Sequence, residues 1–192
     1  FADLFMRFFI SIFALFLSFQ ALSYGERVAA HWDFTQKNQS LVDVAQGHSL
    51  KSAGRVLFNS GSGAQFKGNA LSQLTLDYNP ALEPGDVRPG EVWRLELTGV
   101  RLSTKSGVRA LYSSRDDAGA GTAVYVNAGT FQFWTGAGAG KWNQLVGAVV
   151  DTALTYDVVA EWDGELMSLT IDDGHSTSVQ TLRPATVVFN SG

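Results

Sequence analysis

"AEWDGELMS", residues 160–168, carries Glu161, Asp163 and Glu165 at every second position and encloses the dipeptide Asp163-Gly164. On one continuous strand, side chains two apart share a face. Val159, Glu161, Asp163, Glu165, Met167, Leu169 and Ile171 would then lie together, mixing three carboxylates with the most apolar positions. A reversal at Asp163-Gly164 sorts them differently. A two-residue turn pairs Trp162 with Glu165, Ala160 with Met167, Val158 with Leu169 and Tyr156 with Ile171. One face becomes Tyr156, Val158, Ala160, Trp162, Met167, Leu169 and Ile171. The other carries Val159, Glu161, Leu166, Ser168 and Thr170. Only Glu165 fits poorly, and it sits beside the turn. Asp-Gly also supplies the positive φ of a type I′ turn, so the segment reads as a hairpin.

The competing reading is chemical. E-x-D-x-E is the spacing of retaining β-glucan hydrolases of the laminarinase type, with Glu161 and Glu165 as the catalytic pair. A retaining pair needs carboxyl groups ~5–5.5 Å apart. On a straight strand the two backbones would stand ~13 Å apart, from a rise of ~3.3 Å per residue. A bulged, strongly curved strand closes that gap; a turn places the carboxylates at a solvated tip. The hairpin predicts no catalytic residue.

The rest of the chain follows the same alternation. Expected strands are 55–59, 64–67, 73–77, 92–98, 109–113, 123–127, 130–135, 144–149, 157–162, 165–171 and 186–189. In "EVWRLELTG" (91–99), Trp93, Leu95 and Leu97 share one face, with Arg94, Glu96 and Thr98 on the other. In "TFQFWTG" (130–136), Phe131 and Phe133 alternate with Gln132 and Trp134. No helical period emerges after residue 24. Many short strands with turn signals between them predict an all-β, two-sheet antiparallel sandwich or jelly roll. "NPALEPGDVRPG" (79–90) holds three of the four prolines and is expected to be a surface connection.

The 192 residues suffice for a sizeable core, and 45% hydrophobic against 17% charged residues describe a globular chain. Net charge is −4 with both signs scattered, which disfavours nucleic acid as a partner. Without cysteine there is no disulfide, thiolate ligand or thiol nucleophile. Met6-Arg7, the apolar run from Phe8 and "ALS" at 21–23 read as an export signal cleaved after Ser23. The run from Phe8 to Leu22 is 15 residues, short of the ~20 that span a bilayer, so no stable membrane insertion is expected after cleavage. Residues 24–192 are then one exported domain. Residues 1–5 contain no Met, which points to a fragment or a misassigned start.

"YDVVAEWDGELMSLTIDDG" (156–174) resembles the hairpin of LamG-like domains, of the laminin G/concanavalin A-like group. "LYSSRDDAGAGTAVYVNAGTFQFWTGAGAGKWNQLVG" (111–147) is similar to the middle of their bacterial members. "HWDF", "SLVDVAQGHSL" and "GAQFKGN" (31–69) resemble their opening strand, Asp-containing loop and following strand. The resemblance implies a concanavalin A-like jelly roll with a non-catalytic role, usually carbohydrate or cell-surface ligand binding within a larger secreted protein. It also implies a structural calcium ion, with Asp43 as first candidate ligand and carbonyls around Gln46 and His48 as helpers. The chain departs at its end: "TVVFNSG" (186–192) stands before the closing acidic segment typical of the family. Either the end differs or the last strands are missing.

Other candidates stand beside ordinary readings. Trp134 and Trp142 flank "TGAGAGK"; an aromatic at a loop mouth stacks on a sugar ring, or it packs under a neighbouring loop. Arg115, Asp116 and Asp117 could bind sugar hydroxyls or a cation, or form a solvated turn. "TGAGAGKW" fails as a phosphate loop, with Thr135 and Trp142 where Gly and Ser or Thr are required, and reads as a flexible connection. His31, His48 and His175 lack metal-ligand spacing. No G-x-S-x-G elbow is present. "NQS" (38–40) is a glycosylation sequon. The expectation is therefore a secreted, lectin-like binding module, with a hydrolase or lyase of the same fold and a protein-contacting adhesive domain as alternatives.

Overall fold

The computed structural model describes residues 31–35, 49–53, 56–59, 63–66, 73–76 and 92–189. The export signal, the sequon, Asp43 with Gln46 and His48, and the proline-rich connection lie outside the described residues. Two compact units divide the chain, Phe1–Asp77 and Tyr78–Gly192.

In the first unit, β1 (Leu50–Ala53) pairs antiparallel with β4 (Gln73–Leu76). β2 (Val56–Asn59) pairs antiparallel with β3 (Gly63–Phe66), nesting one strand pair in sequence inside the other. The Phe34 and Phe58 rings lie 6.2 Å apart. β1 is a strand that alternation did not indicate.

The second unit is an all-β antiparallel sandwich. Its strands are β5 (Trp93–Val100), β6 (Arg109–Ser113), β7 (Thr122–Asn127), β8 (Thr130–Gly138), β9 (Lys141–Val149), β10 (Tyr156–Trp162), β11 (Met167–Asp172) and β12 (Thr177–Leu182). One sheet runs β12-β11-β10-β5 and the other β6-β7-β8-β9. The chain thus crosses after β5, builds a four-strand meander, and returns after β9 to lay β10 against β5.

Strict alternation decides which side chains enter the core. Trp93, Leu95 and Leu97 pack against the cluster while Arg94, Glu96 and Thr98 are exposed. Along β10 and β11, Tyr156, Val158, Ala160, Trp162, Met167, Leu169 and Ile171 are all buried. From the other sheet come Val124, Val126, Phe131, Phe133 and Leu145. Edge-on ring contacts join the sheets, Phe131 to Tyr156 at 4.9 Å and Trp93 to Phe133 at 5.6 Å. Each fully buried large side chain of this kind stabilises the fold by about 1.5–3 kcal/mol relative to exposure. The Tyr156 hydroxyl accepts from the Asp151 amide at 2.6 Å and donates to the Asp151 carbonyl at 3.1 Å. A buried phenol needs such partners, and this one ties the β9–β10 crossover to the core.

The hairpin at 163–164 forms with the predicted faces but a different register. Trp162 pairs with Met167, Ala160 with Leu169 and Val158 with Ile171. The loop is therefore four residues, 163–166, rather than a two-residue type I′ turn. Only Gly164 has positive φ, at 98°. Asp163 Oδ1 instead accepts from the Glu165 and Leu166 amides at 2.8 and 2.7 Å. This Asx turn closes the wider loop, and the two-residue shift preserves parity.

"DGHS" (173–176) repeats the device. Asp173 Oδ1 accepts from the His175 and Ser176 amides, and Gly174 has φ 80°. It leads into β12, a strand absent from the expectation. The expected strand at 186–189 reduces to one bridge, Gly136 with Val188. "TGAGAGK" is likewise not a flexible connection. β8 and β9 extend through it, with Gly136 opposite Trp142 and Gly138 opposite Lys141. The reversal falls on Ala139-Gly140, with φ 53° and 71°, the two positive φ values of a type I′ turn.

Candidate functional site

Inward Phe131 and Phe133 put Gln132 and Trp134 on the outer face of the β6–β9 sheet. Tyr125 stands opposite Gln132, Gln144 opposite Trp134 and Trp142 opposite Gly136. Tyr125, Gln132, Trp134, Gln144 and Trp142 therefore share one face. Tyr125 meets Trp134 edge-on at 5.5 Å, and Trp134 lies 6.3 Å from Trp142. Gln132 fixes the centre. Its Oε1 accepts from Trp134 Nε1 at 3.0 Å and Gln144 Nε2 at 3.2 Å. Its Nε2 donates to the Asn127 carbonyl and to Thr130 Oγ1. Gln132 is 6% exposed, and satisfying both ends of a buried amide makes a rigid support.

Arg115 reaches this face from the β6–β7 loop. Its Nη1 donates to the Tyr125 hydroxyl at 3.2 Å. Its Cζ lies 4.9 Å from the Trp142 ring centroid and 6.0 Å from those of Tyr125 and Trp134. Cation–π attraction holds the guanidinium within that range. Trp134 and Trp142 are half-buried and Arg115 is exposed.

Glycines place the loop. The Gly136, Gly138 and Gly140 amides donate to the carbonyls of Gly121, Gly119 and Ala118 at 2.8–2.9 Å. Val188 completes the seam, donating to Gly136 and accepting from Gly121. A Cβ on Gly136 would collide with the Gly119 and Val188 carbonyl oxygens. Asp116 folds the loop, its Oδ1 accepting from the Ala118 and Ala120 amides at 2.9 Å. Asp117 is exposed.

Of the sequence candidates, the structure brings Arg115, Trp134 and Trp142 together, turns Asp116 toward its own loop and leaves Asp117 at the loop tip. Tyr125, Gln132 and Gln144 were missed. The signal was present: Tyr125 alternates with Val124 and Val126, and Gln132 with Phe131 and Phe133, so parity already placed both with Trp134.

The three carboxylates of the opening stretch hold separate partners. Glu161 Oε2 lies 3.7 Å from Arg94 Nη1, Asp163 caps its own turn, and Glu165 pairs with Arg183. A cleft at this end is lined by Trp162, Glu165, Arg183, Pro184 and Phe189, among others. Of the three carboxylates only Glu165 is among its lining residues. Among the described residues no group of three or more His, Asp or Glu side chains is placed to hold a metal ion, and the candidate ligand Asp43 lies outside them.

Comparison with family models, with curated proteins and with solved structures returned no match.

Proposed function

We propose that the chain is an exported, non-catalytic binding module of the LamG-like kind, and that the outer face of the β6–β9 sheet binds glycan. The observation that carries this reading is the cluster of Arg115, Tyr125, Trp134 and Trp142 on one sheet face, braced by Gln132. A sugar ring offers apolar C–H patches and a rim of hydroxyls. Half-buried indoles present flat apolar surface at small entropic cost. The arginine donors and the Gln144 amide supply the polar contacts around it. A rigid, hydrogen-bonded platform binds better than a mobile one, because less ordering entropy is lost.

Export rests on the segment around residues 6–23, and calcium on Asp43 with the carbonyls around Gln46 and His48. The separate engagements of Glu161, Asp163 and Glu165 favour binding over hydrolysis, since a retaining mechanism requires two carboxyls across one substrate. The test is a glycan array probed with the labelled chain, with and without EDTA. Saturable binding to a defined glycan set is expected. Binding to protein surfaces with no glycan signal would favour the adhesive alternative, and glycan cleavage lost in Glu161→Gln would favour the enzyme.

A further inference from the structure

Arg115 is held differently from the other cations of this unit that stand in ion pairs. Arg94 pairs with Glu96 and Glu161, and Arg183 pairs with Glu165. Among the described residues no carboxylate comes within ion-pair distance of Arg115. Its neighbour Asp116 spends Oδ1 on two loop amides. The guanidinium rests instead on the Trp142 ring and one phenol oxygen. Aromatic rings and a neutral hydroxyl fix its position without cancelling its charge. One of its five N–H groups is engaged by Tyr125, and the others keep the planar fork that matches a two-oxygen anion.

We propose that the ligand of this face is an acidic glycan, whose ring-borne anionic group, a carboxylate or a sulfate, pairs with Arg115 while the sugar lies along Trp134 and Trp142. The inference rests on the glycan reading above and adds the charge class. The net charge of −4 works against general attraction of polyanions, so selectivity for an acidic polymer must come from a local cation.

The test uses the whole chain and five probes: polygalacturonate, its carboxyl-reduced neutral counterpart, dextran sulfate, dextran and a neutral β-glucan. Affinities are measured by calorimetry at two salt concentrations. At least one acidic polymer is expected to bind roughly tenfold or more tightly than its neutral counterpart, the worth of one charge-assisted contact. Preference for polygalacturonate identifies a carboxylate and preference for dextran sulfate a sulfate. Arg115→Gln is expected to erase that preference without changing the melting temperature, and Arg115→Lys to retain part of it, since lysine keeps the charge but loses the fork. Equal affinity for acidic and neutral polymers, or a preference that survives in Arg115→Gln, overturns the acidic-ligand inference while leaving glycan binding intact. Absence of binding to every probe overturns both.

Discussion

The Arg115 guanidinium lies 4.9 Å from the Trp142 ring centroid, although Arg115 belongs to the β6–β7 loop and Trp142 to β9. Tyr125 and Trp134 complete the contact from β7 and β8. Three strands thus converge on one cation, and Gln132 braces the arrangement through its hydrogen bond from Trp134. Replacing Gln132 by Leu keeps apolar bulk but strips the acceptor from Trp134 Nε1 and Gln144 Nε2. Loss of such partners costs about 1–3 kcal/mol when the donors are buried; partial exposure here places the expected loss at the lower end, measured by denaturant unfolding. A variant as stable as the parent would show that the amide does not brace the face.

Gly136 stands where β8, the 118–121 loop and Val188 meet, and a Cβ there has no room. Backbone atoms surround it, so relief requires the seam to open. Gly136→Ala is expected to destabilise by about 1–3 kcal/mol, the range for overpacking. Hydrogen exchange should rise first at the Gly121 and Val188 amides. Protection unchanged at both would contradict the seam.

Ala128 and Ala139 occupy left-handed backbone, with φ 49° and 53°. A Cβ in that region costs roughly 1–2 kcal/mol, and both residues are exposed. Asn tolerates the region better. Ala128→Asn and Ala139→Asn are each expected to raise stability by about 0.5–1 kcal/mol, read as an increase in melting temperature.

The carboxyl of Asp173 is held below its ordinary pKa by the amides of His175 and then Ser176, with the Ser176 hydroxyl and His175 adding smaller contributions. A depressed folded-state pKa contributes stability that is fully present above the unfolded value and is lost as pH falls through the folded one. Asp173→Asn keeps an acceptor without the charge. The stability gap between parent and variant should be largest near neutral pH and close on the acid side of the usual carboxylate range. A gap independent of pH would remove the charge from the account.

Burial was legible where alternation is strict. Tyr156 through Ile171 sorted correctly because parity alone separates the faces, and parity survives a two-residue shift. The register was not legible, because Asp163 supports either a type I′ turn or an Asx turn, and its own side chain selects the second. The type I′ turns fall instead on Ala-Gly at 128–129 and 139–140, which local propensity disfavours and the strand ladder imposes. β12, "TSVQTL", escaped detection because an edge strand with Val179 exposed shows no clean alternation. Of the site, Trp134, Trp142 and Arg115 stood out singly. What joins them is a Gly-rich seam whose long-range hydrogen bonds have no signature in local sequence.

The most direct test of the glycan-binding face is calorimetric titration of Trp142→Ala beside the parent chain, against the strongest glycan found on the array. Truncating an aromatic at the centre of a binding surface costs about 2 kcal/mol, roughly thirtyfold in affinity. That loss is expected with the melting temperature held near the parent value. Undiminished affinity in a folded Trp142→Ala would place binding elsewhere and contradict the central claim.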